Sequence, residues 1–192
     1  MRANILLLTF ILGGIGLMQG CAPVIVAGGA TAAVAANDRR TLGSFVDDES
    51  IEIKARKAIN DQRDFGDDVH INITSMNGIV LLSGETATED KRDRALALMR
   101  DISGIRRIIN EVRVAEPRAF TYTSHDTWIT SKVKAKLLGT ENIPSSQIKV
   151  VTENSVVYLM GLVKQKEGEA AAEATRSVGG ITRVVKLFEY LD

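Results

Sequence analysis

Asp48, Ile51, Lys54, Ala55 and Ile59 recur at one constant offset as Asp126, Ile129, Lys132, Val133 and Leu137. The run Asn77-Gly78-Ile79-Val80-Leu81-Leu82-Ser83-Gly84 returns as Asn154-Ser155-Val156-Val157-Tyr158-Leu159-Met160-Gly161, with the offset shorter by one. Gly104-Ile105-Arg106-Arg107-Ile108 returns as Gly180-Ile181-Thr182-Arg183-Val184, with the offset shorter by one again. Two copies of one unit therefore stand in tandem, and the fold question reduces to what each copy can make. Each shortening is a single-residue deletion in a connecting segment or helix, where it is tolerated more readily than in a strand.

Period and punctuation give the elements of one copy. Asp48 to Asn60 carries Ile51, Ala55 and Ile59 at helical spacing, with acidic residues early, where the helix dipole favours them. Its counterpart reads as a helix from Thr127 to Leu138, with Asp126 as the cap. Val69 to Thr74 alternates apolar and polar residues and predicts a half-buried strand. Asn77-Gly78 predicts a tight hairpin turn into a strand over 79–83, because both central residues of a type I′ turn need positive φ. With Asn154-Ser155 in its place, the second copy is expected to turn more loosely or in another way. Glu89 to Ile102 reads as a second helix leaving at Gly104, and Ile108 to Val114 as a last strand. The expected class is α+β: αββαβ twice, each with a three-stranded mixed sheet against two helices. A unit of roughly 70 residues can just support such a core.

Residues 1–20 read as an export signal. Met1-Arg2-Ala3-Asn4 precedes an apolar run from Ile5, and Leu17-Met18-Gln19-Gly20-Cys21 resembles the lipobox of bacterial lipoproteins, with Met18 where leucine is usual. Cys21 is then the lipidated residue, and its acylation, palmitate included, anchors the mature chain. It is the sole cysteine, which rules out a disulfide within the chain. A second reading is an uncleaved signal anchor running on through Ala22 to Ala36, although Pro23 and Gly28-Gly29 interrupt that stretch. Residues 21–44 read as a tether, 45–116 as the first copy, and 117–192 as the second, with Glu116-Pro117-Arg118 as the joint.

The αββαβ order, the Asn-led turn into a strand ending in glycine, and Gly-Ile before the last strand resemble the BON domain. Asp126-Thr127-Trp128-Ile129-Thr130, Val151-Thr152-Glu153-Asn154 and Leu159-Met160-Gly161-Leu162-Val163 carry the likeness furthest. Two such domains behind a lipobox resemble outer-membrane lipoproteins of that family. The resemblance implies no catalysis and no cofactor. It implies an outer-membrane location on the periplasmic face, since Ala22 stands where aspartate would retain the chain in the inner membrane. It also implies that the first helix of the second domain binds phospholipid. That carry-over falls on Trp128, Ile129, Lys132 and Leu137. Links of such proteins to division sites and to the barrel-assembly machinery make an envelope-protein adaptor the alternative reading.

The residues agree with a binding role. Spacing for metal ligands, a phosphate-cradling loop and a nucleophile elbow are all missing from the sequence. His70 and His125 read as solvated side chains, and Asp61, Asp64, Asp67 and Asp68 as a solvated loop. Zero net charge and a pI near 6.8 argue against coating nucleic acid. The charge is unevenly spread, however: residues 45–116 hold 11 basic and 15 acidic side chains, residues 117–192 hold 10 and 8. The only tryptophan, Trp128, lines up with Lys132 and Lys136 about 100° from the core stripe of its helix. The equivalent position in the first copy is Ser50. Together with Lys134, these side chains suit an anionic surface such as phosphatidylglycerol or cardiolipin, with each lysine contributing on the order of 1 kcal/mol. The other expectation for Trp128 is packing against the first domain.

Overall fold

The computed structural model describes residues 39–116 and 120–191. The export signal, Cys21 with its lipobox, most of the tether, and Pro117-Arg118 of the joint lie outside them. The first copy runs α1 (Leu42–Asn60), β1 (Val69–Met76), β2 (Ile79–Thr86), α2 (Glu89–Arg100) and β3 (Arg107–Val114). The second runs α3 (Phe120–Leu138), β4 (Ile148–Glu153), β5 (Val156–Val163), α4 (Gln165–Arg176) and β6 (Arg183–Tyr190). In each, a hairpin pair is extended by a parallel third strand, in the orders β1-β2-β3 and β4-β5-β6. This is the α+β class and the αββαβ order expected from the repeat.

Both leading helices start earlier than their apolar stripes suggest. Thr41 caps α1, its hydroxyl oxygen accepting the Ser44 amide at 3.1 Å, so the helix begins at Leu42, inside the span read as tether. Likewise α3 begins at Phe120 rather than at Thr127. The reading of Asp126 as a helix cap is therefore wrong. Asp48 and Asp126 lie within their helices, buried to 4% and 8% exposure, and each reaches across to a hairpin turn. The Asn77 and Gly78 amides donate to Asp48 at 2.7 and 2.8 Å, and those of Asn154 and Ser155 donate to Asp126 at 2.8 Å each.

That contact also corrects the expectation of a looser second turn. Asn154 and Ser155 have φ of 55° and 59°, against 51° and 72° for Asn77 and Gly78. Serine tolerates this left-handed conformation poorly on its own. Two hydrogen bonds to one buried carboxylate hold it there. Nor does either central strand end at its glycine. A Cβ on Gly84 would stand 2.0 Å from the His70 carbonyl oxygen and one on Gly161 2.5 Å from that of Gln147, so the strands pass these points only because no side chain is present.

One face of each sheet lies under its helices. Ile51, Ala55 and Ile59 of α1 meet Ile73, Val80, Leu82 and Val112, while Ile129, Val133 and Leu137 of α3 meet Val150, Val157 and Leu159. The other faces lie against each other. Met76, Ile79, Leu81, Tyr158 and Met160 form a third buried cluster that joins the two copies. The layers are thus helix, sheet, sheet, helix, with α1 and α3 on opposite outsides. Polar pairs rim the seam. Asn77 and Asn154, the turn residues, donate their side-chain amides to Glu189 and Glu85 of the opposite copy at 2.6 and 2.5 Å. Lys149 reaches Glu52 at 2.8 Å, and Arg183 and Tyr158 both meet Glu111. Burial, with Glu111 adding to it, pushes the Tyr158 hydroxyl up to about 12.

A buried carboxylate in the same seam gives a pH-dependent term. Glu153 accepts the Asn72 side-chain amide at 2.7 Å, yet burial raises its pKa above the ordinary value, opposed by that hydrogen bond and reinforced by Glu85 and Asp126. The folded state therefore holds the proton more tightly than the unfolded chain. This contribution to stability is fully present below the unfolded pKa of ~4.3 and is lost as pH rises through the folded value. Glu153→Gln, a neutral mimic, is expected to gain stability relative to wild type between pH 4 and pH 7, read from urea midpoints. An unchanged difference would show that the carboxyl titrates as if solvated.

Candidate lipid-facing helix

The side chain singled out in the sequence stands outward. Trp128 is 53% exposed on the outer layer of the second copy, away from the seam, so the first domain does not cover it. Lys132 lies one turn on, with its Nζ 4.0 Å from the centre of the indole, and donates to the Gly179 carbonyl at 3.4 Å. His125 also adjoins the ring, the centroids 5.9 Å apart. A cation over the indole face steadies the ring in its outward pose.

The other predicted residues separate into two groups. Lys134 and Lys136 are exposed, about 200° apart around the helix, so they flank the outward ridge instead of lining one side of it. Ile129 and Leu137 are 0% and 1% exposed and belong to the core, so their expected contact with lipid is corrected: they hold the helix onto the sheet. The sequence reading missed Leu138, which is 77% exposed at the end of α3. Its signal was an apolar residue one step past the core stripe, where the wheel turns outward. Trp128 and Leu138 thus stand ten positions apart, about 15 Å along the axis, with lysines between them.

The end of the tether is placed too. Arg39 forms a two-pronged pair with Glu167 of α4 at 2.6 and 2.9 Å, and Arg40 binds Asp48 at 2.8 Å. The guanidinium of Arg39 holds the Glu167 carboxyl down to about 2. Arg39, within the span read as tether, thus ties the approach to α1 to the second copy, while Arg40 ties it to α1 itself.

The acidic loop answers to neighbouring bases. Asp61 pairs with Lys57, Asp64 with Arg94 and Asp68 with Lys91, and Arg94 lowers the Asp64 carboxyl. Among the described residues no group of three His, Cys, Asp or Glu side chains is placed to hold a metal ion. Nor is any described helix long and apolar enough to cross a membrane.

Comparison with known proteins gives a consistent result. Residues 47–116 and 125–192 each match the BON domain. The chain is 36% identical over 185 residues to the outer membrane lipoprotein DolP of Haemophilus influenzae, covering 96% of both chains. It is 34% identical to the 21 kDa hemolysin of Actinobacillus pleuropneumoniae, covering 80% of this chain and 79% of that one. With the osmotically-inducible protein Y of Escherichia coli it shares 27% over 74% and 72% of the two chains.

Proposed function

The chain belongs to the BON-domain family, within the group of the outer membrane lipoprotein DolP, and on that premise we propose that it is a lipid-anchored, periplasm-facing protein of the outer membrane that binds anionic phospholipid through α3. The observation that carries this reading is the outward Trp128 with the Lys132 ammonium against its ring. An indole prefers the headgroup level of a bilayer, where its apolar body and single N–H donor both find partners. Lys132, Lys134 and Lys136 add attraction to an anionic leaflet, and Leu138 offers a second apolar contact. The binding is non-catalytic. No bond is made or broken, and the docked protein supports the integrity of the outer membrane.

Anchoring makes a weak contact sufficient. From acylated Cys21 to Arg39 the tether reaches at most about 60 Å from the leaflet. Docking of α3 becomes an intramolecular step at high effective concentration, and a few kcal/mol are enough to hold it.

The test is the emission of Trp128, the only tryptophan, in a fragment from Asn37 onward titrated with vesicles. A blue shift is expected with phosphatidylglycerol vesicles and not with phosphatidylcholine alone, weakening with salt. Lys132→Glu with Lys136→Glu should lower affinity by more than ~30-fold, since two attractions of about 1 kcal/mol become repulsions. Emission that no vesicle alters would sink the lipid reading and leave the adaptor reading, in which an envelope protein of the division site or barrel-assembly machinery is the partner.

A further inference from the structure

The outward side of α1 differs from that of α3 in a way the fold does not require. Leu42, Phe45, Val46 and Ile53 are 49% to 66% exposed, on a flank about 120° round the helix from the core stripe. A shallow groove of ≈ 410 Å³ runs along Phe45, Val46 and Ile53, closed by Glu49, Ser50 and Lys54. The matching positions of the second copy hold Phe120, Thr123, Ser124 and Ser131, and Ser50 is matched by Trp128. One repeat has put its tryptophan outward, and the other has put four aliphatic and aromatic side chains outward. Exposed apolar clusters of this kind mark contacts.

We propose that this side of α1 binds the same helix of a second copy, antiparallel, about a twofold axis near Glu49 and Ser50. The charges choose the occupant. Exposed Asp47 and Glu49 fall in the first half of the helix, and exposed Lys54, Arg56 and Lys57 in the second. Reversing one helix sets the acidic half of each against the basic half of the other, as a twofold interface requires of a single surface. An anionic bilayer would instead meet Glu49 in the middle of the patch.

The register follows from the same axis. Val46 faces the partner's Ile53, Phe45 faces the partner's Lys54, and the small Ser50 lies beside the partner's Glu49, where the helices approach closest. Glu49 then reaches the partner's Lys54 one turn along. Trp128 looks out from the opposite layer, so the proposal does not depend on what α3 binds.

Trapping the full chain tests it. With Ser50→Cys, a short bis-maleimide should yield several-fold more covalent dimer than with Ser131→Cys on the outward side of α3, or than the unaltered chain with Cys21 alone. Adding Val46→Glu and Ile53→Glu should abolish that dimer without changing the melting temperature, since both side chains are solvent-facing. Lys54→Glu should reduce it, and Glu49→Lys added to Lys54→Glu should restore it. A Ser50→Cys dimer no more abundant than that of Ser131→Cys would overturn the proposal. So would a dimer that survives the two glutamates, or one that the charge exchange fails to recover.

Discussion

Asp48→Ala is expected to destabilise the protein by about 4 kcal/mol, because one buried carboxylate satisfies four donors from three parts of the chain. The Ser75 hydroxyl, the Asn77 and Gly78 amides and the Arg40 guanidinium all lie within 2.8 Å of its oxygens. Alanine leaves the turn amides facing a helix with no acceptor, and Arg40 loses the counter-charge that holds the start of the described chain. Each hydrogen bond to a charged group contributes roughly 1.5–3 kcal/mol, and the sum is reduced by relaxation and by water entering at the turn. Asp126→Ala should cost somewhat less, about 3 kcal/mol, with two turn amides at stake, one of them on a serine held at positive φ. Glu49→Ala, adjacent to Asp48 but solvent-facing, should stay within ~0.5 kcal/mol. Urea unfolding followed by circular dichroism decides. An Asp48→Ala variant within about 1 kcal/mol of wild type would mean that the turns hold themselves.

Tyr158→Ala should cost about 3–5 kcal/mol and uncouple the two copies. Tyr158 is 3% exposed in the apolar cluster between the sheets, so truncation opens a cavity bounded by strands of both copies. Tyr158→Phe separates the ring from its hydroxyl. Its bond to Glu111 is long, at 3.3 Å, and Glu111 keeps Arg183 at 2.9 Å, so that variant should lose no more than about 1 kcal/mol. Because the sheets share this cluster, the unaltered chain should unfold in one transition, with Trp128 emission and circular dichroism coinciding. In Tyr158→Ala the two signals should part, as Trp128 reports only the second copy. Coincident curves and a loss below about 1 kcal/mol would show that the seam contributes little.

Much of the fold was legible in the residues because it depends on local periodicity. The stripes of Ile51, Ala55 and Ile59 and of Ile129, Val133 and Leu137 mark the core side of α1 and α3, and both stripes lie there. Asn77-Gly78 marks a positive-φ turn, and the two residues adopt it. Serine at 155 misled, since propensity speaks for a residue alone and Asp126, far back in the chain, changes what serine can adopt. The runs Ile79-Val80-Leu81-Leu82 and Val157-Tyr158-Leu159-Met160 carried a signal that a two-layer copy leaves unused. A strand apolar on both faces needs a cover on both. Here the second cover is the other copy's sheet.

At the candidate site the same division holds. Trp128, Lys132 and Lys136 were placed by the helical wheel, since about 100° per residue separates them from the core. Ile129 and Leu137 drew two incompatible readings, core from the helical wheel and lipid from the resemblance, and the sheet beneath them decides for the core. The apolar side of α1 was hidden for a related reason. Leu42, Phe45 and Val46 join the helix only because the Thr41 cap starts it well before Asp48.

By itself, then, the sequence determined the repeat, the order of elements in each copy and the place of Trp128 off the core stripe of its helix, all properties of short windows governed by backbone period and turn chemistry. Tertiary structure alone decided how the copies meet, which buried carboxylates hold the turns, and which apolar side chains remain outside. Those outcomes depend on groups far apart in the chain competing for the same space and the same hydrogen bonds, and no local pattern records which of them wins.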